Sequence, residues 1–183
     1  MNRITAIKRL FDWDERERYV YTLHDLSLIF SEDNAKTLKE GVTRLVRAGI
    51  LQRVCRGVYV YPLARSRDSH TIERIAKALR RGDYSYVSNE SALSEYGIIS
   101  QAPVDRLTVM TTGRRGTYQT SYGTIEFTHT HRRLSDILAG IKNVGRPLRL
   151  ATQQTAWRDL KRVGRNRHLV DRNLLTHDEA GRL

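Results

Sequence analysis

Short apolar periodicities organise the first third of the chain. Ile4, Ile7, Leu10 and Phe11 recur at helical spacing, and the charged stretch over residues 12–18 reads as a connector. Thr22 followed three residues later by Asp25 resembles a capping box, in which a hydroxyl and a carboxylate satisfy the free amides of a helix start. Leu23, Leu26 and Ile29 or Phe30 supply that helix with an apolar side, and the Ser-Glu-Asp-Asn run at 31–34 ends it and starts the next. Over residues 34–48 the pattern sharpens. Ala35, Leu38, Val42, Leu45 and Gly49 fall in one narrow sector, with Lys36, Glu40, Thr43, Arg44 and Arg47 opposite and Lys39 at the flank. Gly41, inside this helix, predicts close approach of a neighbouring helix, and Gly49 predicts its end. Residues 51–54 and 58–61 then read as two short strands around a Cys55-Arg56-Gly57 turn.

Beyond residue 70, Ile72, Ile75, Ala76 and Leu79 again trace a helical stripe. Residues 84–87 suggest a strand. Ser88 is placed to cap a short helix over 89–96, with Ala92 and Leu93 inward and Gly97 at its end. Residues 107–111 predict a strand, 113–116 a turn, and 117–121 with 124–130 a hairpin through Tyr122 and Gly123. A helix is expected over 152–163, capped by Thr152 and stopped by Gly164, followed by a partly disordered tail over 171–183.

The order helix, helix, helix, hairpin in about sixty residues is that of a winged helix-turn-helix. The expected fold is therefore α+β: an N-terminal winged helix-turn-helix over residues 1–62, a linker over 63–69 marked by Pro62 and a run of polar residues, and a mixed α/β C-terminal domain over 70–183 ending in a basic helix.

Charge gives this architecture a partner. The 183 residues carry a net charge of +12, with 32 Lys and Arg against 20 Asp and Glu, and the surplus is largest after residue 128. An anionic partner is expected, nucleic acid first. In a winged helix the second helix of the motif enters the major groove, so Lys36, Thr37, Lys39, Thr43 and Arg44 are the expected groove contacts, with Arg47 nearer the helix end. Arg53 and Arg56 on the hairpin are placed for the phosphate backbone. Arg158, Lys161, Arg162, Arg165 and Arg167 form a second basic element that either meets phosphates or is a solvated surface. Such a helix face also suits a module that binds only protein, so an interaction module that contacts a protein partner directly stays open as the alternative.

Other chemistry finds little support. No phosphate-binding loop, dinucleotide fingerprint, nucleophile elbow or metalloprotease motif occurs, no catalytic pair assembles, and neither an enzyme nor a cofactor is expected. His129 and His131 would share one side of a strand, but two histidines do not complete a metal site. Cys55, the only cysteine, excludes an internal disulfide and reads as a structural residue by a turn. No apolar run approaches the roughly 20 residues of a membrane span. The first ten residues lack the pattern of a secretory signal. A cytoplasmic protein without membrane contact is expected.

Two stretches resemble the AbiEi-type antitoxins of bacterial type IV toxin–antitoxin modules. One is Leu45-Val-Arg-Ala-Gly-Ile-Leu-Gln-Arg-Val-Cys-Arg-Gly-Val-Tyr-Val60. The other is Tyr86-Val-Ser-Asn-Glu-Ser-Ala-Leu-Ser-Glu-Tyr-Gly-Ile-Ile99, followed by Arg106-Leu-Thr-Val109 and Gly123-Thr-Ile-Glu-Phe-Thr-His-Thr-His-Arg132. The likeness spans roughly residues 20 to 150. It implies a DNA-binding winged helix joined to a C-terminal antitoxin domain. It further implies repression of the protein's own operon through inverted repeats in double-stranded promoter DNA. It also implies action against a nucleotidyltransferase-like toxin without a stable complex.

Overall fold

The computed structural model describes residues 2–100 and 105–175; the last part of the tail expected to be disordered, 176–183, lies outside them. The fold is α+β, divided into two units: residues up to Leu79 with Thr120–Tyr122, and the remainder from Arg80 onward.

The first unit begins with helix α1 (Arg3–Asp14), whose start is capped by the Asn2 side chain. Its inward residues are Ala6, Leu10 and Asp14, while Ile4, Ile7 and Phe11 are exposed. Of the apolar stripe read from the sequence only Leu10 lies on the packing face, and the charged stretch after residue 11 begins as helix. The reason is Asp14. Its carboxylate is buried and accepts from the Arg65 amide at 2.7 Å and from the amide and hydroxyl of Ser66, so the inner face of α1 is set by a polar contact. Strand β1 (Val20–Thr22) follows, a β-branched and aromatic triplet too short to show alternation. Thr22 then caps α2 (Leu23–Ile29) with the reciprocal Asp25 contact expected from the sequence: Asp25 N donates to Thr22 Oγ1 at 3.1 Å and Thr22 N to the Asp25 carboxylate at 2.8 Å. Helix α3 (Ala35–Arg47) buries Leu38, Gly41, Val42 and Leu45 and packs on α2, leaving Ala35 and Gly49 exposed. Strands β2 (Gln52–Cys55) and β3 (Val58–Val60) form the hairpin, with a register shift between Arg53 and Cys55. The sheet order is β1-β3-β2, so β1 pairs antiparallel with the other edge of β3. Tyr19, Tyr21, Leu26, Phe30, Leu51 and Val60 fill the core. Full burial of each apolar chain of this size contributes about 1.5–3 kcal/mol.

The boundary also differs from the expected linker at 63–69. That segment is pinned by Asp14, and Tyr19 donates its phenol to Asp68 at 3.0 Å and meets the Thr71 hydroxyl at 3.0 Å. Helix α4 (Thr71–Leu79) packs on β1 and β3 and belongs to the first unit.

The second unit is a six-stranded mixed sheet with the order β6-β7-β5-β4-β9-β8. Its strands are β4 (Ser85–Val87), β5 (Arg106–Thr111), β6 (Gly116–Thr120), β7 (Gly123–His129), β8 (Ile141–Lys142) and β9 (Arg149–Ala151). β5 and β7 run parallel, with Leu107 opposite Ile125 and Val109 opposite Phe127, and β4 pairs antiparallel with β5 and parallel with β9. Helix α5 (Asn89–Glu95) packs on β5 and on α7 (Gln153–Val163). Helix α6 (Leu134–Ala139), β8 and β9 come from a stretch with no periodicity long enough to read. Thr152 and Gly164 bound α7 as expected, the glycine at φ 84°.

Ser88 stands at the N-cap position of α5 as expected, but its side chain makes no capping hydrogen bond. Its hydroxyl donates instead to Asp159 at 2.7 Å, and the Thr108 hydroxyl from the neighbouring strand accepts from the Ser91 amide at 3.0 Å in its place. Asp159, fully buried on α7, also accepts from the Tyr86 phenol at 3.1 Å and pairs with Arg132 at 2.8 Å.

Candidate nucleic-acid interface

The face of α3 opposite its packing side presents cations to solvent. Lys36, Lys39, Arg44 and Arg47 are exposed, and so are Arg53 on β2 and Arg56 in the turn. Among the described residues none of the six is held in an ion pair. Glu40 and Thr43 share the exposed side, while Thr37 is half-buried.

The start of α3 is closed by its own chain. Asn34 accepts from the amides of Lys36 and Thr37 at 3.0 and 2.9 Å, and the Thr37 hydroxyl donates to the same oxygen at 3.1 Å. The Thr43 hydroxyl donates to the Lys39 carbonyl at 2.8 Å. Both threonines therefore offer an outside partner an oxygen acceptor, with the hydroxyl proton already placed.

Sequence reasoning missed His24 and Ser27 of α2. With Leu23, Asp33, Ala35, Leu38 and Lys39 they line a concavity of about 310 Å³ where α2 meets the first turns of α3. The signal was present: the capping box fixes where α2 starts, and His24 sits in its first turn. Gly41, expected at a close approach, is buried and shares a second concavity with Arg3 and Arg44.

The second basic element divides. Arg158, Lys161, Arg162 and Arg167 are exposed, with the Lys161 ammonium 5.4 Å from the centre of the Trp157 ring. Arg165 departs from both expected readings, phosphate contact and solvated surface. Its guanidinium pairs with the buried Glu90 at 2.9 Å and with Glu126, and Asn166 donates to Glu90 as well. Desolvation works against the charges here. The two carboxylates nonetheless raise the Arg165 pKa, and Arg165 with Arg106 holds Glu126 below the usual carboxylate value. Arg165 ties the end of α7 to α5 and β7.

Two further candidates sit elsewhere. Cys55 is half-buried at the end of β2, and burial pushes its thiol above the ordinary value, away from the reactive thiolate. The two histidines of β7 and its exit meet: His129 Nε2 lies 3.2 Å from His131 Nδ1, and His129 Nδ1 lies 2.7 Å from the Gly113 carbonyl. No group of three or more histidine, cysteine, aspartate or glutamate side chains placed to hold a metal occurs among the described residues. No described helix is long and apolar enough to cross a membrane.

The sequence pattern of DUF6088, a family of unknown function, matches residues 19–167. The chain belongs to the DUF6088 family. The match begins at Tyr19, takes in α2, α3 and the hairpin, and continues through the sheet of the second unit to the end of α7. A solved structure with a similar fold is the crystal structure of the RV2827C protein from Mycobacterium tuberculosis, with a TM-score of 0.59 and 15% sequence identity. The likeness covers 84% of this chain and 58% of that one, so the chain spans less than two thirds of its length. At this identity the likeness is one of fold. None of the curated proteins compared with the chain matches it.

Proposed function

We propose that the first unit is a winged helix-turn-helix that binds double-stranded DNA with α3 in the major groove, α2 bracing it and the β2–β3 hairpin beside the backbone. The observation that carries this reading is the exposed cationic face of α3, Lys36, Lys39 and Arg44 with Arg47, continued by Arg53 and Arg56. A helix fits the major groove, and cations projecting from one side reach both phosphates and base edges. The resemblance to AbiEi-type antitoxins supports the wider role: a cytoplasmic repressor of its own operon that binds inverted repeats and counteracts a nucleotidyltransferase-like toxin. It acts by binding and needs no cofactor. Arg158, Lys161, Arg162 and Arg167 add a sequence-independent phosphate term, from which Arg165 drops out.

Fluorescence anisotropy against the protein's own upstream DNA and a shuffled control, across a salt series, tests this. Selective binding that weakens with salt is expected, each phosphate contact making the slope of log affinity on log salt more negative by about 0.9. Lys36→Ala with Arg44→Ala weakens binding at least tenfold and removes selectivity, whereas Arg165→Ala leaves the slope unchanged. A folded double variant with parental affinity refutes the assignment.

The alternative, a protein-interaction module, draws on the exposed Ile4, Ile7 and Phe11 along one side of α1. Co-purification with the adjacent gene's product in high salt at fixed stoichiometry, with equal binding to both DNAs, selects it.

A further inference from the structure

We propose that His129 and His131 form a two-histidine site for a borderline divalent transition ion such as Zn²⁺, Ni²⁺ or Cu²⁺. His129 is the last residue of β7 and His131 lies two residues beyond it, and their rings meet, with centroids 4.3 Å apart. The structure adds three features that the sequence does not show.

First, the Gly113 carbonyl fixes the tautomer of His129. A carbonyl only accepts, so at 2.7 Å His129 Nδ1 carries the hydrogen, and in the neutral ring Nε2 is the nitrogen with the lone pair. An imidazole that donates its second nitrogen to a backbone carbonyl while its lone pair faces outward is the arrangement of metal-binding histidines. Second, another imidazole nitrogen stands beside that of His129. His129 Nε2 and His131 Nδ1 are 3.2 Å apart, with the rings nearly perpendicular at 83°. Two nitrogens on a tetrahedral ion at about 2.0–2.1 Å stand about 3.3–3.4 Å from each other, so the gap is close to the bite of a chelate. Third, His131 is exposed and His129 half-buried, so the pair is open to solvent on one side and backed by protein on the other.

With both rings neutral and His129 Nδ1 donating to Gly113, a hydrogen on His131 Nδ1 bridges the gap in the metal-free state. Binding moves that hydrogen to Nε2 of His131, frees the Nδ1 lone pair, and changes no net charge on the neutral pair. Water fills the remaining coordination positions. Imidazole selects Ni²⁺, Cu²⁺ and Zn²⁺ over the hard ions Mg²⁺ and Ca²⁺, with Cu²⁺ the tightest of the divalent series. The site lies on the second unit and does not depend on the DNA-binding reading.

The test is isothermal titration of the full chain with nickel chloride in a non-chelating buffer, then with copper and magnesium chlorides. One equivalent of Ni²⁺ is expected, tighter binding of Cu²⁺, and no heat from Mg²⁺. His131→Ala, on an exposed ring, keeps the metal-free melting temperature and weakens Ni²⁺ by at least about tenfold, as loss of a ligand exceeds the effect of losing an outer-shell partner. His129→Asn, whose amide can still donate to the Gly113 carbonyl, does the same. His168→Ala retains parental affinity. The proposal is overturned if the parent gives no Ni²⁺ binding, or if both His131→Ala and His129→Asn bind as the parent does.

Discussion

Removing the Asp159 carboxylate should cripple the second unit. Asp159 is fully buried, accepts from Ser88 at 2.7 Å and Tyr86 at 3.1 Å, and pairs with Arg132 at 2.8 Å. Asp159→Ala strands two hydroxyls and a guanidinium whose side chain is only 16% exposed. Breaking a buried pair from one side costs about 3–5 kcal/mol, because the remaining charge stays desolvated. That loss is large against the whole stability of a small domain. The chain has two tryptophans, Trp13 in α1 of the first unit and Trp157 on α7 of the second. In a Trp13→Phe background the fluorescence of Trp157 therefore follows the second unit alone through urea unfolding. Adding Arg132→Met to Asp159→Ala removes the orphaned charge and recovers part of the loss, so the two changes combine to less than their sum. A loss below about 1 kcal/mol for Asp159→Ala, or strict additivity with Arg132→Met, refutes the buried-pair reasoning.

Asp14→Asn should destabilise the first unit by about 2–3 kcal/mol near neutral pH, since charged acceptors in hydrogen bonds contribute about 1.5–3 kcal/mol. Desolvation pushes the Asp14 carboxyl upward, but the Ser66 hydroxyl and the Arg65 and Ser66 amides together hold it below its ordinary value. Its contribution is therefore complete above the unfolded value of about 3.9 and disappears as pH falls through the lower folded value. Urea titrations of parent and variant should converge in strong acid; a gap that persists there speaks against the carboxylate as the cause. Gly140→Ala places a Cβ 2.4 Å from the Thr155 hydroxyl oxygen and 3.2 Å from its methyl. A cost of about 1–3 kcal/mol is expected from the overlap, and Thr155→Ala in the same chain should relieve most of it, as read by thermal melting.

The parts of the fold legible in the sequence are those whose causes are local. The Thr22–Asp25 capping box and the buried sector Leu38, Val42 and Leu45 lie within one or two turns of helix, and both form as read. What escaped depends on partners far along the chain. Strand β1 is three residues long and exists because β3 arrives forty residues later to pair with it. Ser88 has the composition of a cap, but its hydroxyl is taken by Asp159, seventy-one residues away. Arg165 is indistinguishable by composition from Arg162 or Arg167. Only the return of Glu90 and Glu126 to its side separates a tie within the second unit from a solvent-facing cation. The candidate DNA face was readable because an unpaired exposed cation needs no distant partner, and the histidine pair was half readable, since the spacing was visible and the Gly113 carbonyl was not.

The Asp14 clasp has a consequence for how this chain can be cut or recombined. Residues 63–69 have the look of a hinge, with Arg65 and Arg67 offered on the surface to a trypsin-like protease. Their backbone is tethered through Arg65 and Ser66, and Asp68 is held by Tyr19. Cleavage needs an extended, yielding strand, and this one is anchored at both ends, so nicking there should be slow. A fragment severed after Pro62 would carry away Asp14 and Tyr19 with their partners left behind. The first unit runs on through Leu79 and takes in Thr120–Tyr122 as well, so a chimaera joined at the apparent hinge would begin its life with a broken core.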